Sequence, residues 1–315
     1  MSMAAVELAN VRKTYGKQVA VDDLSLAVPE GSVYGFIGPN GSGKTTTLRM
    51  IMRIIAPDQG TIRVLGDESG VHGPANDRIG YLPEERGLYK QMKVREVLRF
   101  YSELKGHRPT RSEIQNWLER MGLPDVGEKK VEQLSKGMSQ KVQFISTIIA
   151  RPQLVILDEP FSGLDPVNAV VLRDTVLDLK RGGATVIFST HDMEVAEKMC
   201  DFIFMIYKGK KVLDGTLESI QNTYGTDVIH VRMESDNGHA TSLDNLPGVL
   251  KVTDFGKWQE LRITQNTDRQ HVLSELMRRG RVAHFELASP SLQDIFVRIA
   301  SPDEATALKG ETVLA

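Results

Sequence analysis

An apolar run from Ser32 to Ile37 leads into Gly38-Pro39-Asn40-Gly41-Ser42-Gly43-Lys44-Thr45, and a helical pattern from Thr46 to Ile55 leads out. A strand, a glycine-rich turn and a helix in that order, with G-x-x-x-x-G-K-[ST] at the turn, commit this part of the chain to an α/β layer whose turn wraps phosphates. The turn residues Gly38, Pro39, Asn40, Gly41, Ser42 and Gly43 lie where a backbone cradle forms, and Thr46 continues it into the helix. The helix N-terminus attracts the anion, Lys44 reaches the β- and γ-phosphates, and the Thr45 hydroxyl is placed to ligate Mg²⁺.

A second run, Leu154-Val155-Ile156-Leu157-Asp158-Glu159-Pro160, has strand length and ends abruptly in two carboxylates. Buried in a parallel sheet, such a strand delivers its acids to the C-terminal edge, where ligands bind in open α/β sheets. There Asp158 suits the Mg²⁺ shell beside Thr45, and Glu159 suits the orientation of water attacking a γ-phosphate. Between the two motifs, Leu134-Ser135-Lys136-Gly137-Met138-Ser139-Gln140-Lys141 opens another helix, with Ser135 at the N-cap position.

These motifs, in this order and spacing, resemble the nucleotide-binding subunits of ATP-binding cassette (ABC) transporters. The resemblance implies an ATPase using ATP and Mg²⁺, with a P-loop core, an antiparallel β subdomain and an inserted α-helical subdomain. It implies that Ser135 and Gly137 belong to a signature that contacts the ATP held by another subunit. It further implies that Tyr15 stacks on adenine and that His191, in Thr190-His191-Asp192 after a strand from Ala184 to Ser189, is the switch histidine. Ser162-Gly163-Leu164-Asp165 matches the loop linking the two sites. Two positions depart from the pattern. Lys136 and Met138 replace a glycine and a glutamine of the signature, and Glu84, in Gly80-Tyr81-Leu82-Pro83-Glu84, stands where glutamine is usual. A carboxylate there can still ligate Mg²⁺, at the cost of negative charge near the triphosphate. Both departures resemble the bacterial branch serving drug or sodium exporters.

The domain reading follows from these landmarks. Residues 1–225 form the ATPase, with an antiparallel sheet from Val6 to Val28. A helical insert runs from about Glu85 to Gln133, or to about Ala150 counting the helix after Ser135; it includes helices at Val94 to Glu103 and Arg111 to Met121. Residues 226–300 form a small α+β domain with strands at Val228 to Met233, Val249 to Phe255, Glu260 to Ile263 and Val282 to Leu287, and helices at Asp268 to Arg279 and Leu292 to Ile299. Residues 301–315 read as a polar tail.

The formal net charge of −2 argues against a partner bound through nucleic-acid phosphates, and the clusters Arg278/Arg279/Arg281 and Lys208/Lys210/Lys211 read as solvated surface. A single cysteine, Cys200, excludes an intrachain disulfide and fits a reducing compartment. His230, His239, His271 and His284 lack metal-ligand spacing. With no apolar run of spanning length, the chain is expected in the cytoplasm, held peripherally at the membrane by an integral-membrane permease. Its other expected partner is a second copy of itself or a paralogous ATPase. The competing readings are a soluble cassette ATPase acting on ribosomes or DNA, and a nucleotide-gated interaction module; no second cassette, coiled-coil insert or zinc-binding cysteines support the first.

Overall fold

The computed structural model describes residues 4–68, 76–85, 87–224, 228–234, 243, 245–264 and 267–300. The chain divides into two compact units, Met1–Thr216 and Leu217–Ala315. Gly225, where the sequence places the boundary, His239 and the tail from Ser301 lie outside the described residues.

The first unit begins with a hairpin of β1 (Ala4–Tyr15) and β2 (Gln18–Pro29), and continues through β3 (Val33–Ile37), α1 (Lys44–Ile51), β4 (Gln59–Val64) and β5 (Ile79–Leu82). Helices α2 (Val94–Glu103), α3 (Arg111–Arg120) and α4 (Lys136–Ile148) follow, then β6 (Leu154–Asp158), α5 (Pro166–Arg181), β7 (Thr185–Thr190), α6 (Met193–Met199), β8 (Phe202–Tyr207) and β9 (Lys210–Gly215). Strands β2, β1 and β4 form an antiparallel three-stranded sheet, and the central sheet has the order β5-β6-β7-β3-β8-β9. Its pairings are parallel except β8 with β9.

Every residue of β3, β6 and β7 is buried. That is what a parallel sheet covered on both faces demands, and it explains why β3 and β6 read as largely apolar runs, while β7 keeps Val186 to Phe188 between buried hydroxyl residues. One cluster joins Val155, Leu157, Val186 and Phe188 to the helical insert through Leu98, Ile114, Leu118, Val142 and Ile145. The other joins Ile156, Ile187, Phe36 and Phe204 to the antiparallel sheet through Val6, Leu24 and Val64. The sheet is thus the floor on which both subdomains rest.

The helix expected over Thr46–Ile55 runs instead over Lys44–Ile51. It starts early because the phosphate-loop Lys44 and Thr45 are its first turn, entered from Gly43 at φ 112. It stops early because Arg53 turns left-handed at φ 58 while its guanidinium bonds Asp67 at 3.2 Å.

In the second unit, α7 (Leu217–Tyr224) precedes strands β10 (Val228–Met233), β11 (Val249–Asp254), β12 (Gln259–Ile263), helix α8 (Arg269–Arg279), β13 (Val282–Ala288) and α9 (Leu292–Ala300). Its antiparallel sheet has the order β11-β12-β10-β13. Ile229, Val231, Leu261 and Ile263 bury one sheet face with Val272 and Leu276 of α8. The charged and polar residues alternating with them, His230, Arg232 and Glu260, are left outside this core.

Candidate functional site

Strands β6, β7 and β3 are neighbours, and their register sets Asp158 opposite Ser189 and Ile37 opposite Thr190. The three C-terminal ends therefore bring the acidic pair, the His191 turn and the phosphate loop to one edge. Strand order, invisible in the motifs themselves, is what assembles the site.

The loop closes so tightly that two glycines have no substitute. A Cβ on Gly43 would lie 2.5 Å from the Ala20 carbonyl oxygen, and one on Gly38 would lie 2.3 Å from that of Ile206. Gly43 also sits at φ 112, a region L side chains rarely enter. Lys44 folds back under the loop, its Nζ donating to the carbonyls of Gly38 at 2.6 Å and Pro39 at 3.2 Å. Burial pushes the Lys44 pKa down, opposed by the negative charges of Glu159, Asp158 and Glu84. The ammonium is thus held in a pocket that is poor in water and open to a stronger anion.

Asp158 is fixed at one oxygen and open at the other. Ser189 Oγ donates to its Oδ1 at 2.5 Å, and Thr45 Oγ1 stands 3.4 Å from the same atom. Its Oδ2 is buried without a hydrogen-bond partner. A buried carboxylate oxygen left unmatched costs free energy, on the order of 1–3 kcal/mol or more for a charged group, unless something else meets it. Hard oxygen donors such as those of Asp158 and Thr45 are the kind Mg²⁺ takes, so these residues fit that ion.

Glu159 adopts a left-handed backbone at φ 48, a conformation unfavourable for a side chain of its size. Ser189 Oγ accepts its backbone N–H at 3.0 Å, holding that geometry. The turn re-aims the carboxylate toward the phosphate loop. Lys44 Nζ lies 3.8 Å from one oxygen, and His191 Nδ1 lies 3.1 Å from both. Lys44, Asp158, Glu159 and His191, singled out separately in sequence, are one cluster. Ser189 was not singled out. Its sequence signal is weak, a hydroxyl following the apolar Val186-Ile187-Phe188 in a strand that also holds Thr185 and Thr190.

The other expected residues lie at varied distances from this cluster. Glu84 is exposed just beyond β5, yet its charge is felt at Lys44. Tyr15 ends β1, 51% exposed, with Lys13 Nζ 5.8 Å from its ring centre. A flat face open to solvent is what base stacking needs. Ser135 caps α4 by accepting the Met138 N–H at 3.3 Å, and a Cβ on Gly137 would meet nothing within 4 Å. Among the described residues, neither bonds to the Lys44 cluster of its own chain. Gln140 on α4 donates to the carbonyls of Pro160 at 3.0 Å and Ser162 at 3.3 Å, tying that helix to the loop after Glu159. Asp165 closes the loop by accepting the Asn168 N–H and capping α5.

Comparison with known proteins decides what this edge belongs to. Residues 21–162 match the family profile described as ABC transporter, and residues 215–300 match that of the ATP-binding protein DrrA1-3-like C-terminal domain. The chain is 41% identical over 290 residues to the uncharacterized ABC transporter ATP-binding protein YhaQ of Bacillus subtilis, covering 91% of this chain and 96% of that one. This chain belongs to the ATP-binding subunits of ABC transporters. As such it binds ATP and is an ATPase. Within the family it is 33% identical over 313 residues to the daunorubicin resistance ATP-binding protein DrrA3 of Streptomyces coeruleorubidus, covering 96% of this chain and 98% of that one. It is also 33% identical over 305 residues to the Nod factor export ATP-binding protein I of Rhizobium sp. strain N33, covering 95% and 98%. A solved ATP-binding subunit of an ABC transporter superposes with TM-score 0.65 at 30% identity, covering 70% of this chain and 93% of that one. The family fold confirms the P-loop core with antiparallel and helical subdomains expected from the motifs. Among the described residues, no helix is long and apolar enough to cross a membrane.

Proposed function

We propose that this subunit works as a pair, each chain's phosphate loop and the other's Ser135 and Gly137 enclosing one ATP, and that the pair drives a separate permease exporting a drug-like or other small solute. The observation that carries the chemistry is the strained Glu159, aimed between Lys44 and His191 beside a carboxylate with one buried, unmatched oxygen. Support for export comes from the Nod factor export ATP-binding protein and from DrrA3, a daunorubicin resistance protein, both of which match over nearly their whole length. In this reading the subunit lies in the cytoplasm against the membrane, held by the permease. The reading has no use for nucleic acid.

The roles follow from position. Gly38 to Gly43 with Thr46 line the triphosphate, Lys44 neutralises its β- and γ-oxygens, and Tyr15 stacks on the base. Thr45, Asp158 and the exposed Glu84 hold Mg²⁺, which supplies charge neutralisation at the phosphates. Glu159 orients the attacking water and accepts its proton. His191 steadies Glu159 through Nδ1, and donating from its other ring nitrogen to the γ-phosphate at the same time takes the doubly protonated ring, since carboxylate and phosphate both accept. Among the described residues, the chain's own Ser135 and Gly137 make no bond to its own cluster, which leaves them available to a second chain.

Complementation tests the pairing. Lys44→Ala and Ser135→Arg each spoil both composite sites of a homodimer, but a mixed dimer regains one intact site. The reading predicts that mixing the two inactive proteins restores ATP turnover. A mixture as inactive as its components would refute the shared site.

A further inference from the structure

The C-terminal sheet ends, among the described residues, in an unprotected strand. β13 (Val282–Ala288) pairs with β10 on one side and is the last strand of its sheet on the other. Each edge strand has one register shift, between Val249 and Lys251 in β11 and opposite Arg232 and Met233 in β13, but β11 also carries that lysine, which discourages strand addition. β13 has neither proline nor lysine. Beside it opens a groove of about 580 Å³ lined by Leu273 and Met277 of α8 and by Val282, Ala283 and Phe285. Met277 is 66% exposed and Leu287 47% exposed, so apolar surface continues along this edge.

The strand's own sequence says what fits it. Laid antiparallel against a second β13 and centred on Phe285, the seven residues Val282–Ala288 match end to end. His284 then faces Glu286 of the other copy and the reverse pair repeats across the twofold axis. On the other strand face, Ala283 meets Leu287 and Phe285 meets itself. A histidine–carboxylate contact, which His284 and Glu286 already make within one strand at 3.2 Å, and apolar pairs directly across antiparallel strands both stabilise the pairing. Moving the centre of the pairing by one residue, a slide of two residues of one strand along the other, sets Glu286 against itself or His284 against itself. Charge and apolar patterning therefore select one register.

We infer that β13 is a self-association edge, through which two copies of this chain join their C-terminal sheets into one continuous antiparallel sheet independently of nucleotide. It is a second contact between subunits, formed without ATP and without the residues of the phosphate site.

Cysteine cross-linking in the full-length protein without nucleotide tests it. Cys200 is the sole native cysteine, and burial raises its thiol pKa, which disfavours the thiolate that oxidation needs; the protein without added cysteine is the control for its contribution. Under mild oxidation Phe285→Cys should form a covalent dimer about tenfold faster than Leu250→Cys on the opposite edge, because directly opposed Cβ atoms come close to disulfide reach. Phe285 packs against the domain core, so a second measurement guards against misfolding. Ala283→Cys mixed with Leu287→Cys should cross-link, whereas either alone should not. Charge exchange completes the test: His284→Glu should weaken nucleotide-free association in sedimentation, and adding Glu286→Lys should restore it. Cross-linking no faster than at Leu250, or a mixture that behaves like its components, would overturn the proposal. The Lys44→Ala and Ser135→Arg complementation is unaffected by either result, so failure here leaves the ATP-site reading standing.

Discussion

Lys44 and Glu84 test the site one residue at a time. Lys44 Nζ is held by two carbonyls and faces Glu159, so it is aimed before any phosphate arrives. Lys44→Ala should weaken ATP affinity about 10- to 100-fold, since a hydrogen bond to a charged group contributes roughly 1.5–3 kcal/mol. Calorimetry that finds the affinity unchanged would remove the lysine from the phosphate contact. Glu84 is subtler, because it is exposed and its charge reaches Lys44 without a direct bond. If its carboxylate helps hold Mg²⁺, Glu84→Gln should raise the Mg²⁺ concentration for half-maximal ATPase, a neutral amide oxygen holding a hard cation less tightly. Superimposable Mg²⁺ titrations would show that the residue only faces solvent. Most of the residues gathered at this edge were legible in the sequence, because the glycine-rich loop and the acidic pair are contiguous strings. Ser189 was not, for its value lies in the parallel register that sets it against Asp158, and a single sequence carries no register between distant strands.

At the scale of elements, α4 connects the turn at Ser135 to the loop after Glu159. Gln140 spans from that helix to the Pro160 and Ser162 carbonyls, so a shift of α4 is felt directly behind Glu159. Gln140→Ala should lower turnover several-fold with little change in ATP affinity, and should cost about 1 kcal/mol of stability, the usual contribution of a hydrogen bond. Unaltered kinetics would mean that the loop keeps its shape without this tie. Elements whose periodicity and termini agree, such as α2 over Val94–Glu103 and β10 over Val228–Met233, have the bounds expected from sequence alone. α1 does not, because its start is set by the glycine geometry of the loop and its end by the left-handed Arg53, neither of which apolar periodicity reports. β4 shows the same limit. Its residues, exposed except for Ile62 and Val64, become a strand because β1 supplies the pairing.

For the whole molecule, the core buries the motif strands between two hydrophobic clusters, while residues 217–300 carry a core of their own built on Ile229, Val231, Leu261 and Val272. Ending the chain after Thr216 should therefore leave ATP binding intact while removing any association through β13. A folded truncation that no longer bound ATP would show that the second unit takes part in the nucleotide site. The central claim is that the clustered Glu159 drives hydrolysis of a nucleotide held by other residues. Glu159→Gln keeps the shape of the side chain and removes its basicity, so paired measurements of ATP affinity and turnover on this one variant test the claim most directly. The account predicts near-normal affinity with turnover reduced by about 10²- to 10⁴-fold, the usual contribution of a general base. Turnover close to that of the unaltered protein would contradict it.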